Sequence, residues 1–349
     1  MRRRLQAARL ALIASALFGC SSAAETQTPR SAGLAPALER ASHTPVGPVE
    51  SEMRNVLFRV DDRVVLEIRH LRGVLTPTRP GVPPWFDDPA SFVLAIDTAD
   101  IAITPVSLSA LLNTYVFNYK GTPLKHLEVS IDEGELKQKG VLHKGIDLPF
   151  TIRAQLTTTD DGRLRLHPTS VKVLGIPMRS LMRLFGLELD NLVHVREGRG
   201  VEIVDNDFLL SPAALLPPPR IKGTLTGVVL EQTRIRQIFG GSDRPGRKTD
   251  LRPSDPKAPN YMFYRGKMLR FGKLTMADAD LQIVDKDPSD PFDFYLAHLN
   301  EQLVAGESHN QTDFGLLTLM PDYSDLERPG RQSGRKQLAT DAGDDDPKR

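Results

Sequence analysis

Ile146-Asp147-Leu148-Pro149-Phe150-Thr151-Ile152-Arg153-Ala154-Gln155-Leu156 carries an apolar side chain at every second position for eleven residues. Period 2 is the pattern of a strand with one buried and one solvated face. Ile146, Leu148, Phe150 and Ile152 are therefore expected to point inward, and Asp147, Arg153 and Gln155 to face water. Pro149 has no amide hydrogen to give a ladder, which predicts either an edge strand or a bulge.

Neighbouring segments follow the same rule. Leu127, Val129 and Ile131 alternate ahead of Asp132-Glu133-Gly134, and Leu164 and Leu166 follow Asp160-Asp161-Gly162; both turns are hairpin signals. Residues 64–70, 92–103, 201–204, 223–230 and 281–284 also read as strands. Helical spacing interrupts them. Thr104 is placed to cap, and Pro105 to open, a helix with Leu108, Leu111, Leu112, Tyr115 and Val116 on one face and Gly121 at its end. A second helix is predicted over residues 177–187, striped by Met178, Leu181, Met182 and Phe185. A third runs from Asp290-Pro291 through Phe294, Leu299 and Leu303 to Gly306. The economical architecture is α+β: a long, twisted, mostly antiparallel β-sheet wrapped around or packed with a few amphipathic helices, plus a C-terminal strand and helix elaboration.

The N-terminal residues supply an address. Arg2, Arg3, Arg4 and Arg9 accompany an apolar run over residues 10–18 that is too short to span a bilayer. It ends in Leu17-Phe18-Gly19-Cys20, which resembles the bacterial lipobox. Cys20 is the one cysteine of the 349 residues and closes no internal disulfide. The expectation is a lipoprotein signal peptide over residues 1–19 and a lipid on Cys20. By resemblance to enterobacterial sorting, Ser21 implies the outer membrane, hence a periplasmic, membrane-anchored protein. Residues 20–50, rich in Ala, Ser, Thr and Pro, read as a flexible tether, with folded structure from near Asn55. Residues 51–239 form the β-rich domain. Residues 240–260 are either a surface loop or a linker, residues 261–326 a segment packed on the same domain, and residues 327–349 a charged tail expected to be disordered.

Composition narrows the chemistry. Removing residues 1–19 takes away four arginines and no acid, moving the formal net charge from +1 to −3. A mildly acidic chain argues against nucleic acid. G-x-S-x-G, H-E-x-x-H, Walker and paired-cysteine motifs are missing from the sequence, and no catalytic residue, metal or cofactor is assigned. Asp278, Asp280, Asp285, Asp287, Asp290 and Asp293 suit a hard cation by type but depart from EF-hand spacing. Counted from Asp285, the sixth place is Asp290 rather than Gly and the twelfth Leu296 rather than Glu. Capping and turn solvation is their simpler use. Trp85, within Pro83-Pro84-Trp85-Phe86-Asp87, either contacts a membrane or partner or folds back to pin its loop.

One resemblance adds a function. An amphipathic helix, the segment Leu127-Glu128-Val129-Ser130-Ile131-Asp132-Glu133-Gly134-Glu135-Leu136, a glycine-bearing strand to Leu142, the strand at 146–156, Arg163-Leu164-Arg165-Leu166 and Val171-Lys172-Val173-Leu174-Gly175-Ile176-Pro177 follow in order. Over residues 107–195 this order resembles the LmeA-like phospholipid-binding proteins of bacterial envelopes and, more distantly, the tubular lipid-binding (TULIP) domains. The resemblance implies a non-catalytic protein that binds or transfers phospholipid, or another acyl-chain lipid, in an apolar groove. The groove residues are then Leu111, Tyr115, Leu127, Val129, Ile131, Leu136, Leu142, Ile146, Leu148, Phe150, Ile152, Leu156, Leu164, Leu166, Val171 and Val173. The same apolar face equally suits the filled core of an envelope scaffold. A third alternative is an enzyme using carboxylates from Asp278 to Asp293, which requires them to converge in a pocket.

Overall fold

The computed structural model describes residues 45–177, 200–204, 207–240, 253–311 and 315–326. The signal segment, Cys20, most of the tether, the second helix beyond Pro177, the middle of the polar stretch after Gly240 and the tail lie outside the described residues. In chain order come three long strands, β1 (Val49–Arg59), β2 (Val65–Pro77) and β3 (Phe92–Ile103), and helix α1 (Pro105–Leu111), which continues as a π-helical turn (Leu112–Val116). A four-strand meander follows: β4 (Leu124–Asp132), β5 (Glu135–Lys144), β6 (Ile146–Thr158) and β7 (Leu164–Val173), then the short β8 (Ile176–Pro177). Next are β9 (Val201–Val204), β10 (Asp207–Leu210), α2 (Pro212–Leu215), β11 (Arg220–Lys222), β12 (Leu225–Leu230) and β13 (Ile235–Phe239). Last are β14 (Tyr261–Gly266), β15 (Met268–Phe271), β16 (Leu274–Ala277), β17 (Asp280–Asp285), β18 (Phe292–Tyr295), α3 (Leu299–Ala305), β19 (Glu307–Asn310) and β20 (Leu316–Met320).

The strands form two large sheets rather than one long one. The first runs β12-β13-β3-β2-β1-β14-β17-β20-β19, with β11 beside β3 and β18 beside β1; the second runs β4-β5-β6-β7-β10-β9, with β8 beside β7. Pairing is antiparallel except for β1 with β18, β3 with β11 and β17 with β20. Hairpin chemistry explains the meander. Glu133 and Gly134 both have positive φ, the type I′ geometry that matches strand twist, so β4 turns into β5 in two residues.

Several expectations are corrected. Val49 is fully buried and pairs with both Leu75 and Gly266, so folded structure begins before Asn55, inside the stretch read as tether. β6 lies between β5 and β7 and is no edge, and Pro149 is not at a bulge. Its carbonyl accepts from the Leu174 amide where the β7 ladder has already ended, and no ladder donor is needed there. The third helix starts late. Residues 292–295 are a buried strand parallel to β1, and the α-helix begins only at Leu299, although it does stop at Gly306. All four side chains of β18 are buried, and one-sided helical burial was the wrong template. Pro177, read as a helix start, belongs to β8.

Two interiors result. The half of the first sheet around β14 and β18 packs an aromatic core, where Phe86 meets Phe271, Tyr264 and Phe92 at centroid distances of 4.8, 5.1 and 5.4 Å. Trp85 belongs to this side and pins its loop. Its ring lies 4.0 Å from the Arg270 guanidinium and its Nε1–H donates to Asp87 at 2.8 Å. The other half of the first sheet faces the second sheet across aliphatic side chains.

Candidate functional site: an apolar cavity between the sheets

The cavity wall begins with β5 and β6, whose register is unbroken from Leu136↔Ala154 to Lys144↔Ile146. Inward positions on β6 meet inward positions on β5: Ile152 opposite Gln138, Phe150 opposite Gly140, and Leu148 opposite Leu142. β7 contributes through an irregularity. Arg153 pairs with Ser170 but Ala154 with Pro168, which leaves Thr169 as an extra residue. One added residue reverses the side-chain alternation. Even-numbered Leu164 and Leu166 and odd-numbered Val171 and Val173 therefore all line the same cavity.

Helix α1 closes the free edge of the second sheet. Thr104 Oγ1 accepts from the Ser107 amide at 3.2 Å, and Pro105 opens the helix, as its sequence predicts. On the following turns Asn113 clamps β4: its Oδ1 accepts from Leu127 N–H at 2.9 Å and its Nδ2 donates to Leu127 O at 2.7 Å. The Ser109 hydroxyl accepts from Val129 N–H at 2.8 Å. An edge strand otherwise exposes these groups, and the helix satisfies them. Leu108, Leu111, Leu112 and Phe117 then turn into the cavity.

The opposite wall comes from the first sheet, with Leu66, Ile101, Ile103, Ile221, Ile235 and Phe239; β9, β10 and α2 add Val201, Phe208, Leu210 and Leu215. The cavity measures about 170 Å³, and among the described residues of its lining Gln138 and Gln237 supply the side-chain amides. The inward row on β7 from Leu164 to Val173 extends about 30 Å at roughly 3.3 Å per residue.

Eleven of the sixteen residues assigned from sequence line this cavity: Leu111, Val129, Leu136, Leu142, Phe150, Ile152, Leu156, Leu164, Leu166, Val171 and Val173. Five do not. Leu127 is buried in the packing beside it, and Ile131 and Leu148 are half-buried at its margins. Tyr115 turns its hydroxyl to Asp61 at 2.6 Å. Ile146, expected inward, is instead 66% exposed at the first position of β6, and the cavity lining stops short of it. The wall from the first sheet was not assigned from sequence. Alternation in Ile235-Arg236-Gln237-Ile238-Phe239 is the available signal, and Gln237 on its inward side conceals it.

Among the described residues, no carboxylate lines the cavity. Of the six aspartates read as a possible cation cluster, Asp293 pairs with Arg59 at 2.5 Å and Asp285 accepts from Asn260 Nδ2 at 3.1 Å. Asp280 faces Arg265 at 3.5 Å, and Asp278, Asp287 and Asp290 are exposed. Among the described residues no group of His, Cys, Asp or Glu is arranged to hold a metal ion, and no helix is long and apolar enough to cross a membrane.

No known family, curated protein or solved structure matches the chain. The cavity must be read from its own chemistry. A space lined by aliphatic and aromatic groups, with two amides and no charge, offers burial to a hydrocarbon and no counter-ion to a charged solute.

Proposed function

We infer that this chain is an envelope lipoprotein that binds the acyl chain of a phospholipid or similar lipid between its two sheets, without a catalytic step. The observation that carries the reading is the cavity lining. The space of about 170 Å³ is bounded almost wholly by aliphatic and aromatic side chains. Each methylene placed there contributes up to about 0.8 kcal/mol. The LmeA-like and TULIP resemblance rests on the order of helix and meander strands in the sequence, and the address read from Cys20 would put the cavity beside a source of phospholipid.

Native mass spectrometry of the mature protein purified from membranes tests the binding. Wild type is expected to carry lipid, and Val171→Phe, which fills the cavity opposite Ile152, is expected to lose it while staying folded. Val304→Ser, at a position 88% exposed, should retain wild-type occupancy. Wild-type chain that carries no lipid and takes none from vesicles removes the reading in favour of a scaffold. The anchor has its own test: Cys20→Ser should move the protein from the membrane fraction to the soluble fraction, and equal retention on membranes rejects lipidation at Cys20.

A further inference from the structure

The inward row of β6 does not stop where the cavity does. Period 2 keeps Ile152, Phe150, Leu148 and Ile146 on one face, and the β5–β6 register is unbroken along them. Ile152 and Phe150 line the cavity, Leu148 is half-buried, and Ile146 is 66% exposed. A continuous apolar track therefore runs from the interior onto the surface. At the same end of the sheet the β7–β8 turn holds Leu174 at 57% exposure, and β8 holds Ile176 at 44%. The Leu174 amide is bonded to Pro149 O at 2.8 Å, which fixes that turn against β6.

Among the described residues, the polar ones around this end are mostly cationic. Lys120, Lys125, His126 and Lys172 are exposed on the segments that begin or end there. Asp147 is the acid among them; it is engaged by His143 Nδ1 at 2.6 Å and lies within electrostatic reach of Lys125 and His126. Exposed aliphatic tips ringed by lysines are complementary to a bilayer with anionic headgroups: the tips enter the interface, and the ammonium groups remain at headgroup level.

We propose that this end of the second sheet docks on anionic phospholipid membrane and that the track Ile146–Leu148–Phe150 is the route by which an acyl chain enters the cavity. The proposal rests on the acyl-binding reading above and adds the docking surface and the port of entry.

The test follows loading of the mature chain, residues 20–349 carrying Cys20→Ser, so that neither the lipid anchor nor the basic, apolar signal segment holds it to vesicles. Vesicles of phosphatidylcholine, with or without phosphatidylglycerol, carry a trace of pyrene-labelled phosphatidylcholine, and pyrene on the protein is measured against time. The Ile146→Ser, Leu174→Ser double variant is expected to load about tenfold more slowly or worse, reaching the same final lipid per chain. The Lys125→Glu, Lys172→Glu double variant is expected to lose the acceleration given by phosphatidylglycerol. Both pairs are exposed, so folding is not at stake. Unchanged loading rates in both variants overturn the proposal while leaving acyl binding intact, as does reduced final occupancy at an unchanged rate. Failure of every chain to load, wild type included, overturns acyl binding itself.

Discussion

Phe150 occupies the cavity wall because the residue facing it has no side chain. A Cβ on Gly140 would stand 2.7 Å from Leu127 Cδ2 and 2.8 Å from Phe150 Cζ, closer than packed carbons tolerate. Gly140→Ala is therefore expected to push the Phe150 ring toward the cavity, costing about 1–3 kcal/mol of stability as overpacking does and lowering lipid occupancy. Urea denaturation and native mass spectrometry measure the two effects. Phe150→Ala alone should destabilise by about 3–5 kcal/mol. In the double variant the two costs should be less than additive, since removing the ring removes the clash; strict additivity would show that Gly140 and Phe150 act separately.

Two elements owe their place around the cavity to irregular details. In β7, Thr169 is the residue that lets both halves of the strand face inward, and deleting it should swing either Leu164 and Leu166 or Val171 and Val173 to solvent. The expected result is loss of lipid binding and a large drop in the thermal midpoint; a deletion variant with wild-type midpoint and occupancy would contradict the register described. In the π-helical turn that continues α1, Asn113→Ala strips partners from both the N–H and C=O of Leu127 and should cost about 1–3 kcal/mol. Elements of this kind differ in legibility. The strand over residues 146–156 and the Thr104-Pro105 helix start are visible in sequence because local period and capping chemistry dictate them. β14 and β18 are not. Tyr261-Met262-Phe263-Tyr264 and Phe292-Asp293-Phe294-Tyr295 are buried on both faces, which erases alternation, and Asp293 is tolerable there only because Arg59, distant in sequence, meets it. The cavity was half legible for the same reason: the meander announces its own wall, whereas the facing wall is set by tertiary packing.

At the scale of the molecule, the C-terminal region carries a pH response. Burial pushes the Asp285 carboxyl up to about 6, and burial reinforced by neighbouring Asp285, Asp290 and Asp293 pushes Asp322 up to about 7. In the unfolded chain both titrate near the ordinary aspartate value of about 4. Between those limits the folded state holds more protons, so stability is fully present below about pH 4 for these two groups and is lost as pH rises through 6 to 7. Asp322→Asn keeps an oxygen to accept the Asp293 amide, made at 2.6 Å in the wild type, and removes the charge. Thermal midpoints compared at acidic and mildly alkaline pH should differ less in this variant than in wild type, with the gain at the alkaline end. An unchanged difference would remove Asp322 as the source.

The placement of β1 has a consequence for how the protein is made. Its neighbours are β2 on one side and, on the other, β14 and β18, so Val49 meets Gly266 and Val56 meets Phe292. Ribosomal synthesis delivers β1, β2 and β3 long before residue 266 exists, and until then one side of β1 is a bare row of amide and carbonyl groups open to any passing strand. The early hairpins therefore cannot serve as a finished nucleus. That edge stays open until the last quarter of the chain arrives to seal it, so through most of synthesis partly made chains can pair with one another along β1.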